Sequence, residues 1–461
     1  MFFKKIIDNF NHIVNLTITE IVIVSLLALL NINVLEAHPR IQSDTDSKSY
    51  SHHNYQQQHR KSHSKIAFND VSHLLDFERV DDLLTVPIAD RLGGAAWLDY
   101  DNDGDLDLFL TNAPGGNNAL FRNDKGKFVD VAESAGITGD KSGFTGALAG
   151  DINNDGWVDL FLTGANGFMG LGRPSRLYQN NGDGSFTNIT ESAGFQVSCE
   201  DCYIAGALWL DYDLDGLLDI FLSDYHSYSI NKLYRNLGNE TFELIDLTSV
   251  ILNKNSFSAI FMYVNEDEYP DIYIANDFDQ NNTLLINQEG SGFADQAESY
   301  QVLDPRDGMG LATCDYDNDL DTDFLVTNIK ENSFFVNEYV SEDQFTNLSE
   351  DVNIYDTNWA WGAIFSDFTH DGYEDLYIAN GFFNLEENEY FQNVFTPEGR
   401  KFQHGVFTDE PILETNSRSV NSFDYDNDGD LDLLVTNINS SLDFYENKAI
   451  DTYYNDDISG A

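Results

Sequence analysis

A nine-residue acidic loop recurs along the chain at a nearly fixed spacing, and this repeat limits the possible folds more than any other feature. In the first copy, Asp99–Asp107, aspartate occupies positions 1, 3, 5 and 9, and glycine occupies position 6. Seven copies begin at residues 99, 151, 211, 263, 315, 367 and 424, in steps of 52, 60, 52, 52, 52 and 57 residues. A period of about 50 residues is typical of a β-propeller or a solenoid.

The acids within each loop are spaced for a hard cation. Calcium takes about six to eight oxygen ligands, and a tight acidic loop with glycine at its sharpest turn supplies them from few residues. An EF-hand begins in the same way but needs a glutamate at position 12, where this chain has apolar residues such as Leu110 and Leu162. Position 9 must therefore close the site. Magnesium fits less well because it demands strict octahedral geometry and keeps its waters.

We predict calcium ligands at positions 1, 3, 5, 7 and 9 of six intact loops, with position 7 acting through its backbone carbonyl, and hence about six ions. These residues are Asp99, Asp101, Asp103, Asp105 and Asp107; Asp151, Asn153, Asp155, Trp157 and Asp159; Asp211, Asp213, Asp215, Leu217 and Asp219; Asp315, Asp317, Asp319, Asp321 and Asp323; Asp367, Thr369, Asp371, Tyr373 and Asp375; and Asp424, Asp426, Asp428, Asp430 and Asp432. The alternative, acidic turns without metal, is disfavoured because converging carboxylates repel one another when no cation lies between them.

The fourth loop, 263–271, departs from this pattern. Tyr263 stands where the first ligand is expected, and Glu268 stands where the glycine is expected. We predict that this loop binds no metal. The fifth loop has Leu320 in place of glycine but keeps its acids.

Each repeat contains four strand-like segments. The segment after the loop, for example Leu108–Leu110, is apolar without alternation, which is typical of a strand buried on both faces. The third segment ends in asparagine in all seven repeats, at Asn123, Asn180, Asn236, Asn287, Asn337, Asn393 and Asn447. We expect this residue to begin a turn, because asparagine tolerates left-handed backbone and bonds its own main chain. A contact to a sugar is the alternative.

The last repeat lacks its fourth segment, and a matching segment, Phe68–Val71, precedes the first repeat. An N-terminal strand that completes the last sheet would close a ring and remove its open edges, whereas a solenoid would have no use for it. The sequence therefore predicts an all-β fold over residues 65–447: a seven-bladed β-propeller of four-stranded antiparallel blades, closed by the N-terminal strand.

The flanking segments have different compositions. Lys4 and Lys5 precede an apolar run at residues 21–30, so residues 1–37 are predicted to be a cleaved signal peptide or, alternatively, an N-terminal anchor. Residues 38–64 are polar and His-rich, which indicates a disordered linker, and residues 448–461 form an acidic tail. The expected location is secreted or at the cell surface.

The chain carries 24 basic and 79 acidic residues, for a formal net charge of −55. This charge argues against nucleic acid as a partner and against contact between the propeller and anionic membranes, because both are polyanions. We expect a monomer. The three cysteines form no disulfide framework, and the Cys199–Cys202 pair is interpreted as a loop disulfide or two free thiols.

Two motifs occur together between residues 118 and 136. The run Asn118-Ala-Leu-Phe-Arg-Asn123 is followed by Phe128-Val-Asp-Val-Ala-Glu-Ser-Ala-Gly136. With the acidic loops, they make the chain resemble the FG-GAP/VCBS repeat family, which includes the integrin α-subunit N-terminal propellers, and within it the cartilage acidic protein and ASPIC/UnbV group. The resemblance covers about residues 65–447. It implies calcium loops that join the first two strands of each blade on one rim, and an extracellular binding role. It also implies that any function of the C-terminal domain usual in that group is missing here.

The leading functional hypothesis is a calcium-stabilised module for adhesion or protein recognition, with an extracellular protein or glycan as partner. The partner surface is expected on the rim opposite the ions, and the glycine-rich segment 165–173 is a candidate contact. A lectin-like propeller or, less favoured, a polysaccharide lyase is the alternative. No catalytic residues are predicted, because the sequence shows neither a Ser-His-Asp set nor a phosphate-binding loop.

Overall fold

The computed structural model describes residues 68–77, 93–164, 174–195, 203–225, 230–248, 250, 254–265, 267–337, 344–382, 386–405, 407, 415–438 and 440–449. The chain divides into two units, residues 1–64 and residues 65–461. The first unit lies outside the described residues, as does the tail beyond Ala449. The signal peptide or anchor, the linker and most of the acidic tail therefore stay predictions.

The described part of the second unit forms seven antiparallel sheets, which are the blades of a β-propeller. Blade 1 is β2 Ala95–Leu98, β3 Asp107–Leu110, β4 Ala119–Asn123 and β5 Phe128–Asp130; blade 2 is β6 Gly146–Gly150, β7 Asp159–Thr163, β8 Arg176–Asn180 and β9 Phe186–Asn188; blade 3 is β10 Ile204–Leu210, β11 Asp219–Asp224, β12 Lys232–Asn236 and β13 Phe242–Ile245. Blade 4 is β14 Ser256–Met262, β15 Asp271–Asn276, β16 Thr283–Asn287 and β17 Phe293–Asp295; blade 5 is β18 Leu311–Cys314, β19 Asp323–Val326, β21 Ser333–Asn337 and β22 Phe345–Asn347. Blade 6 is β20 Ile329–Glu331, β23 Asp356–Ser366, β24 Asp375–Asn380, β25 Glu389–Thr396 and β26 Gly399–His404; blade 7 is β27 Ser417–Phe423, β28 Asp432–Asn437, β29 Asp443–Asn447 and β1 Phe68–Asp70.

The predicted ring closure is confirmed. Strand β1 pairs antiparallel with β29, and Phe68 lies opposite Asn447. The ring of Phe68 is buried and stacks on Phe407 at a centroid distance of 4.0 Å. Because the first and last segments of the propeller complete one four-stranded sheet, β1 covers the edge of β29 and closes the ring.

Blade 6 differs from the prediction of four strands in every blade. Its fifth strand, β20, comes from the connection between β19 and β21 of blade 5. Ile329 in β20 pairs with Trp359 in β23, because β23 is 11 residues long and extends beyond its blade. A segment that connects two strands of blade 5 therefore forms an additional strand in the sheet of blade 6.

The core lies between neighbouring blades. The second strand of each blade is buried along its whole length, as the apolar runs predict. Leu325 and Phe334 of blade 5, for example, pack in one cluster with Leu376 and Ile378 of blade 6. Helical structure in the described residues is limited to α1, Ala132–Ala135, and two 3₁₀ turns at Ser72–Leu74 and Gly139–Lys141. Within the same residues, no helix has the length and apolar character needed to cross a membrane.

Candidate metal centres

The acidic loops, numbered 1 to 7 with their blades, connect the first and second strands of each blade. Their backbone turns twice through the left-handed region. Position 4 has φ between 54° and 63° in the six intact loops, and the glycines at position 6 have φ between 85° and 95°. Glycine is favoured at position 6 because its φ is costly for a residue with a Cβ. Leu320 in loop 5 adopts φ 76° at this position.

The aspartate at position 1 organises the loop itself. In loop 1, Asp99 accepts hydrogen bonds from the backbone N–H groups of Asp103 and Gly104, each at 3.0 Å. The equivalent pair of bonds is present in the five other intact loops. Position 1 therefore holds the turn in the shape that brings the other acids toward it.

Three carboxylates converge in four of the loops. The ligand atoms at positions 1, 3 and 9 lie within 4.8 Å of one another, and these groups are Asp99, Asp101 and Asp107; Asp211, Asp213 and Asp219; Asp315, Asp317 and Asp323; and Asp424, Asp426 and Asp432. Loops 2 and 6 have the neutral residues Asn153 and Thr369 at position 3. Several aspartate clusters in the described residues could therefore hold metal ions.

Whether these residues fit a cation can be judged from buried side-chain oxygens that have no hydrogen-bond partner. One side-chain oxygen at position 3 is buried and accepts no hydrogen bond from any described group in loops 1, 3, 6 and 7, at Asp101, Asp213, Thr369 and Asp426. Buried polar atoms are rarely left in this state, and an oxygen-binding cation would satisfy them. The donor set therefore fits calcium.

The aspartate at position 9 is fully buried and has a second, structural function. Asp107 accepts hydrogen bonds from the backbone N–H groups of Tyr100 at position 2 (2.9 Å) and of Asn123 at the end of the third strand (2.8 Å). The bond to the third strand recurs in all seven repeats. Position 9 thus ties the loop to two strands, in addition to facing positions 1 and 3.

Burial raises the pKa of these position-9 carboxyls well above the ordinary value of 3.8. Desolvation is the largest cause in every loop, and the backbone hydrogen bonds oppose it only partly. The pKa reaches about 7 for Asp107 and about 8 for Asp323 and Asp432. A cation bound nearby would favour the ionised form, so cation binding and loss of a proton are coupled at these sites.

Positions 5 and 7 are placed differently from positions 1, 3 and 9. At position 5, one oxygen of Asp103 accepts the backbone N–H of Asp105 at 2.9 Å, and this bond recurs in the other intact loops. At position 7, the side chain of Asp105 turns to the backbone N–H of Lys125 and to Asn427 of blade 7. In loop 1 the side chain of position 7 therefore points to neighbouring groups, and the carbonyl ligand at position 7 stays a prediction.

The side chain at position 4 links neighbouring loops, a contact that the sequence analysis missed. The Nδ2 atoms of Asn102, Asn154 and Asn318 each donate to the position-6 carbonyl of the next loop at 2.9 Å. In loops 6 and 7, His370 and Asn427 contact the position-7 carboxylates of the next loop, Asp430 and Asp105. Asparagine at position 4 of four intact loops was the available signal. These bonds join six loops in one continuous series, in the order 5, 6, 7, 1, 2 and 3.

In the first four repeats the asparagine that ends the third strand begins a turn, as predicted, whereas Asn393 lies within β25. The Oδ1 atom of Asn123 accepts the N–H of Gly126 at 2.7 Å. Its Nδ2 atom also reaches the previous blade, where it donates to the position-2 carbonyl of Tyr425 at 2.8 Å. Five other repeats show this inter-blade bond in the described residues. The alternative of a sugar contact is wrong, because all seven of these asparagines are buried.

Loop 4 retains part of this network. Asp271 at position 9 is fully buried and accepts the N–H groups of Val264 (3.0 Å) and Asn287 (2.8 Å), as its counterparts do. Tyr263 at position 1 is 52% exposed and supplies no carboxylate. The described residues of this loop, like those of loops 2 and 6, form no group of three converging acidic ligands, and the loss of its ion stays a prediction.

Some predicted features lie outside the described residues. They are the glycine-rich segment 165–173 and the Cys199–Cys202 pair. Cys314 is described and is a buried free thiol.

Comparison with known proteins agrees with this geometry. The model of the FG-GAP-like repeat matches residues 99–162, 211–274 and 263–326. Cartilage acidic protein 1 is 32% identical over 139 residues in both Homo sapiens and Mus musculus, and 31% identical over 140 residues in Xenopus tropicalis. Each match covers 29% of this chain and 20% of the relative, so the chain spans about a fifth of the length of these relatives.

Two solved structures resemble the chain. One describes recognition of non-reducing terminal N-acetylglucosamine by an Agrocybe aegerita lectin, with 15% identity, a TM-score of 0.43, and coverage of 81% of this chain and 88% of that chain. The other is BBS1N in complex with ARL6DN, with 9% identity, a TM-score of 0.46, and coverage of 76% and 91%. From its repeated loops, its blades and its curated relatives, the chain carries FG-GAP-like repeats on a seven-bladed β-propeller and resembles the cartilage acidic protein group.

Proposed function

We propose that this protein is a secreted, calcium-stabilised propeller that recognises an extracellular protein. The observation that carries the proposal is the convergence of positions 1, 3 and 9, with an oxygen at position 3 left without a hydrogen bond. The resemblance to cartilage acidic protein 1 supports an extracellular location. A net charge of −55 also favours partners that are not polyanions.

Calcium has a structural function in this proposal. Each occupied loop would link the first and second strands of its blade through positions 1 and 9, so folding and ion binding are coupled. If ambient calcium exceeds the dissociation constant by ten- to a hundredfold, each ion adds about 1.4 to 2.7 kcal/mol to the free energy of unfolding. Six ions together would add on the order of 8 to 16 kcal/mol, which equals the whole stability of many domains.

The ion count tests the calcium part directly. Metal analysis of protein loaded with calcium and then dialysed is expected to give about six ions per chain, and excess chelator is expected to lower the melting temperature by tens of degrees. Asp424→Asn should remove one ion. Tyr263→Asn, a substitution at the same position of loop 4, is the matched control and should remove none. A melting curve that chelator leaves unchanged would eliminate the structural function of calcium.

A panel of immobilised matrix proteins and a glycan array, each probed with and without calcium, tests recognition. We expect calcium-dependent binding to protein. Binding confined to glycans would instead favour the lectin-like alternative. We assign no catalytic function to the propeller. His370, which lies inside loop 6, contacts Asp430 of the next loop at 2.7 Å and is thus committed to a contact between loops.

A further inference from the structure

Large apolar side chains are exposed on the ion-binding rim around loop 4. Leu214 in loop 3, Phe261 near the end of strand β14, Tyr263 at position 1 of loop 4, and Leu320 in loop 5 are 42%, 43%, 52% and 92% exposed. We call these four residues the rim patch. The rings of Phe261 and Tyr263 are in contact, with centroids 6.3 Å apart, and exposed apolar side chains grouped on one surface commonly mark an interaction site.

Three members of the rim patch replace residues that the other loops keep. Leu214 stands at position 4, where the other intact loops have asparagine or histidine, Tyr263 replaces the position-1 aspartate, and Leu320 replaces the position-6 glycine. The two leucines adopt φ values of 57° and 76°, which cost energy for a residue with a branched side chain. Asparagine at position 4 and glycine at position 6 would adopt these backbone conformations at lower cost. The stability of the fold therefore does not explain the two leucines.

The repeat geometry brings the three loops together. In intact pairs, position 4 of one loop bonds to position 6 of the next at 2.9 Å, so Leu214 lies on the side of loop 3 that faces loop 4. By the same relation, Leu320 lies on the side of loop 5 that faces loop 4. The Gly290 turn of blade 4 packs between loops 3 and 4, since a Cβ at Gly290 would meet Asp213 at 3.1 Å and Tyr269 at 3.3 Å.

The surroundings of the rim patch are acidic. Asp267 and the exposed Glu268 lie within loop 4 and are not assigned to an ion. A second copy of the chain would bring the same acids and the same net charge of −55, so self-association on this rim is opposed by repulsion. A basic segment with apolar side chains is complementary to both features.

We propose that the rim patch binds a protein segment whose apolar side chains are flanked by lysine or arginine. This inference rests on the proposed recognition function and names its contact surface. The apolar side chains of the segment cover Leu214, Tyr263 and Leu320, and its cations meet Asp267 and Glu268, which are not assigned to an ion. The surface lies on the rim that carries the acidic loops, whereas the sequence predicted a partner surface on the opposite rim.

A pair of peptides tests the proposal. One labelled peptide alternates leucine and lysine, and the second has serine in place of leucine at the same charge. Fluorescence anisotropy at about 150 mM salt, where surface charges are screened beyond about 8 Å, gives both dissociation constants in calcium. The parent protein is expected to bind the leucine peptide at least about tenfold more tightly, the effect of burying about one leucine side chain.

The variant Leu214→Asn/Leu320→Gly installs the residues of neighbouring loops and leaves the charge unchanged. Its ratio of dissociation constants is expected to fall to about twofold or less, and adding Tyr263→Ser should remove the remainder. Leu303→Ser on the opposite rim (40% exposed) and Phe395→Ser in blade 6 (79% exposed) are controls that should keep the tenfold ratio. Since asparagine and glycine relieve left-handed strain, the melting temperature of the double variant in calcium should not fall.

An unchanged ratio in the double and triple variants would overturn the proposal, as would equal losses in the two controls. Either result would leave the proposed function intact if the parent protein still bound immobilised matrix proteins in a calcium-dependent way. Loss of that calcium dependence, with the peptide ratios as expected, would instead count against the proposed function alone.

Discussion

Loop 4 and its intact neighbours join the same two strands of a blade, but they differ in backbone conformation at position 6 and in what they offer a cation. Loop 1 has aspartate at positions 1, 3 and 9, whereas loop 4 has Tyr263, Asn265 and Asp271. Position 9 nevertheless keeps the same two backbone hydrogen bonds and complete burial in both loops. The comparison separates two features of the motif: positions 1 and 3 supply converging carboxylates in loop 1 but not in loop 4, and position 9 holds the blade together in both.

The largest expected effect is the pH dependence of the metal-free protein. A carboxyl whose pKa is raised in the folded state contributes stability that is full below its ordinary pKa of 3.8 and is lost as pH rises through the raised pKa. The position-9 pKa values are about 7 to 8 in the intact loops and about 6 for Asp271. In chelator, the melting temperature at pH 8 should therefore lie about 10 °C or more below that at pH 5.

Calcium should reverse this trend, because it binds the ionised carboxylates and its affinity rises as they lose protons. Calorimetry at matched ionic strength, in calcium and in chelator, measures how the melting temperature changes between pH 5 and pH 8 in each condition. Parallel slopes in the two conditions would show that the buried carboxyls are not coupled to the ion.

Asp271→Ala tests the structural function of position 9 without an ion. The substitution leaves the N–H groups of Val264 and Asn287 buried without acceptors, so the free energy of unfolding should fall by about 2 to 5 kcal/mol. Urea unfolding should give the same loss in calcium and in chelator. Asp107→Ala in loop 1 is the comparison. Its loss in free energy of unfolding should be larger in calcium than in chelator, because the substitution also removes a predicted ion ligand.

Restoring loop 4 tests the ion function of the missing positions. The double variant Tyr263→Asp/Glu268→Gly gives loop 4 the same ligand pattern as loop 2, with asparagine at position 3. Metal analysis should count one more ion than in the parent protein, and the added stability should be about 1.4 to 2.7 kcal/mol at ten to a hundred times the dissociation constant. An unchanged ion count would mean that the backbone of blade 4, and not its side chains, excludes the ion.

Asn154→Gly should give the smallest effect. Glycine keeps the left-handed backbone but removes the 2.9 Å bond from Asn154 to Gly216, so the loss in free energy of unfolding should be about 0.5 to 1.5 kcal/mol. Leu214→Gly, at the same position of loop 3, removes no such bond and should cost nothing. Equal losses in the two variants would show that the bond between loops contributes no stability.

The sequence predicted most of the fold because each repeat encodes its own blade. The seven regularly spaced loops gave the blade number, the apolar runs gave the buried second strands, and the segment at Phe68 gave the closing strand. The fifth strand of blade 6 was missed, because Ile329–Glu331 lies in a connection whose pairing partner belongs to the next repeat.

The candidate sites were predicted less completely. Spacing predicted acids at positions 1, 3 and 9, which converge in four loops, but it did not predict that position 5 accepts the backbone N–H of position 7. The asparagines at the ends of the third strands were recognised as turn residues, and their bonds to the previous blade were not. These bonds depend on the distance between blades, which no single repeat encodes.

By itself, the sequence determined the repeat, the acidic loops, the order of the strands and the loss of ligands in loop 4. These properties are local, since they follow from residue types spaced within one repeat. Only the tertiary structure decided which loops are hydrogen-bonded to each other, that Asp271 keeps its bonds without a complete ligand set, and that Leu214, Tyr263 and Leu320 share one rim. Those relations arise when the closed ring packs residues from different repeats against each other, at distances that their positions in the chain do not specify.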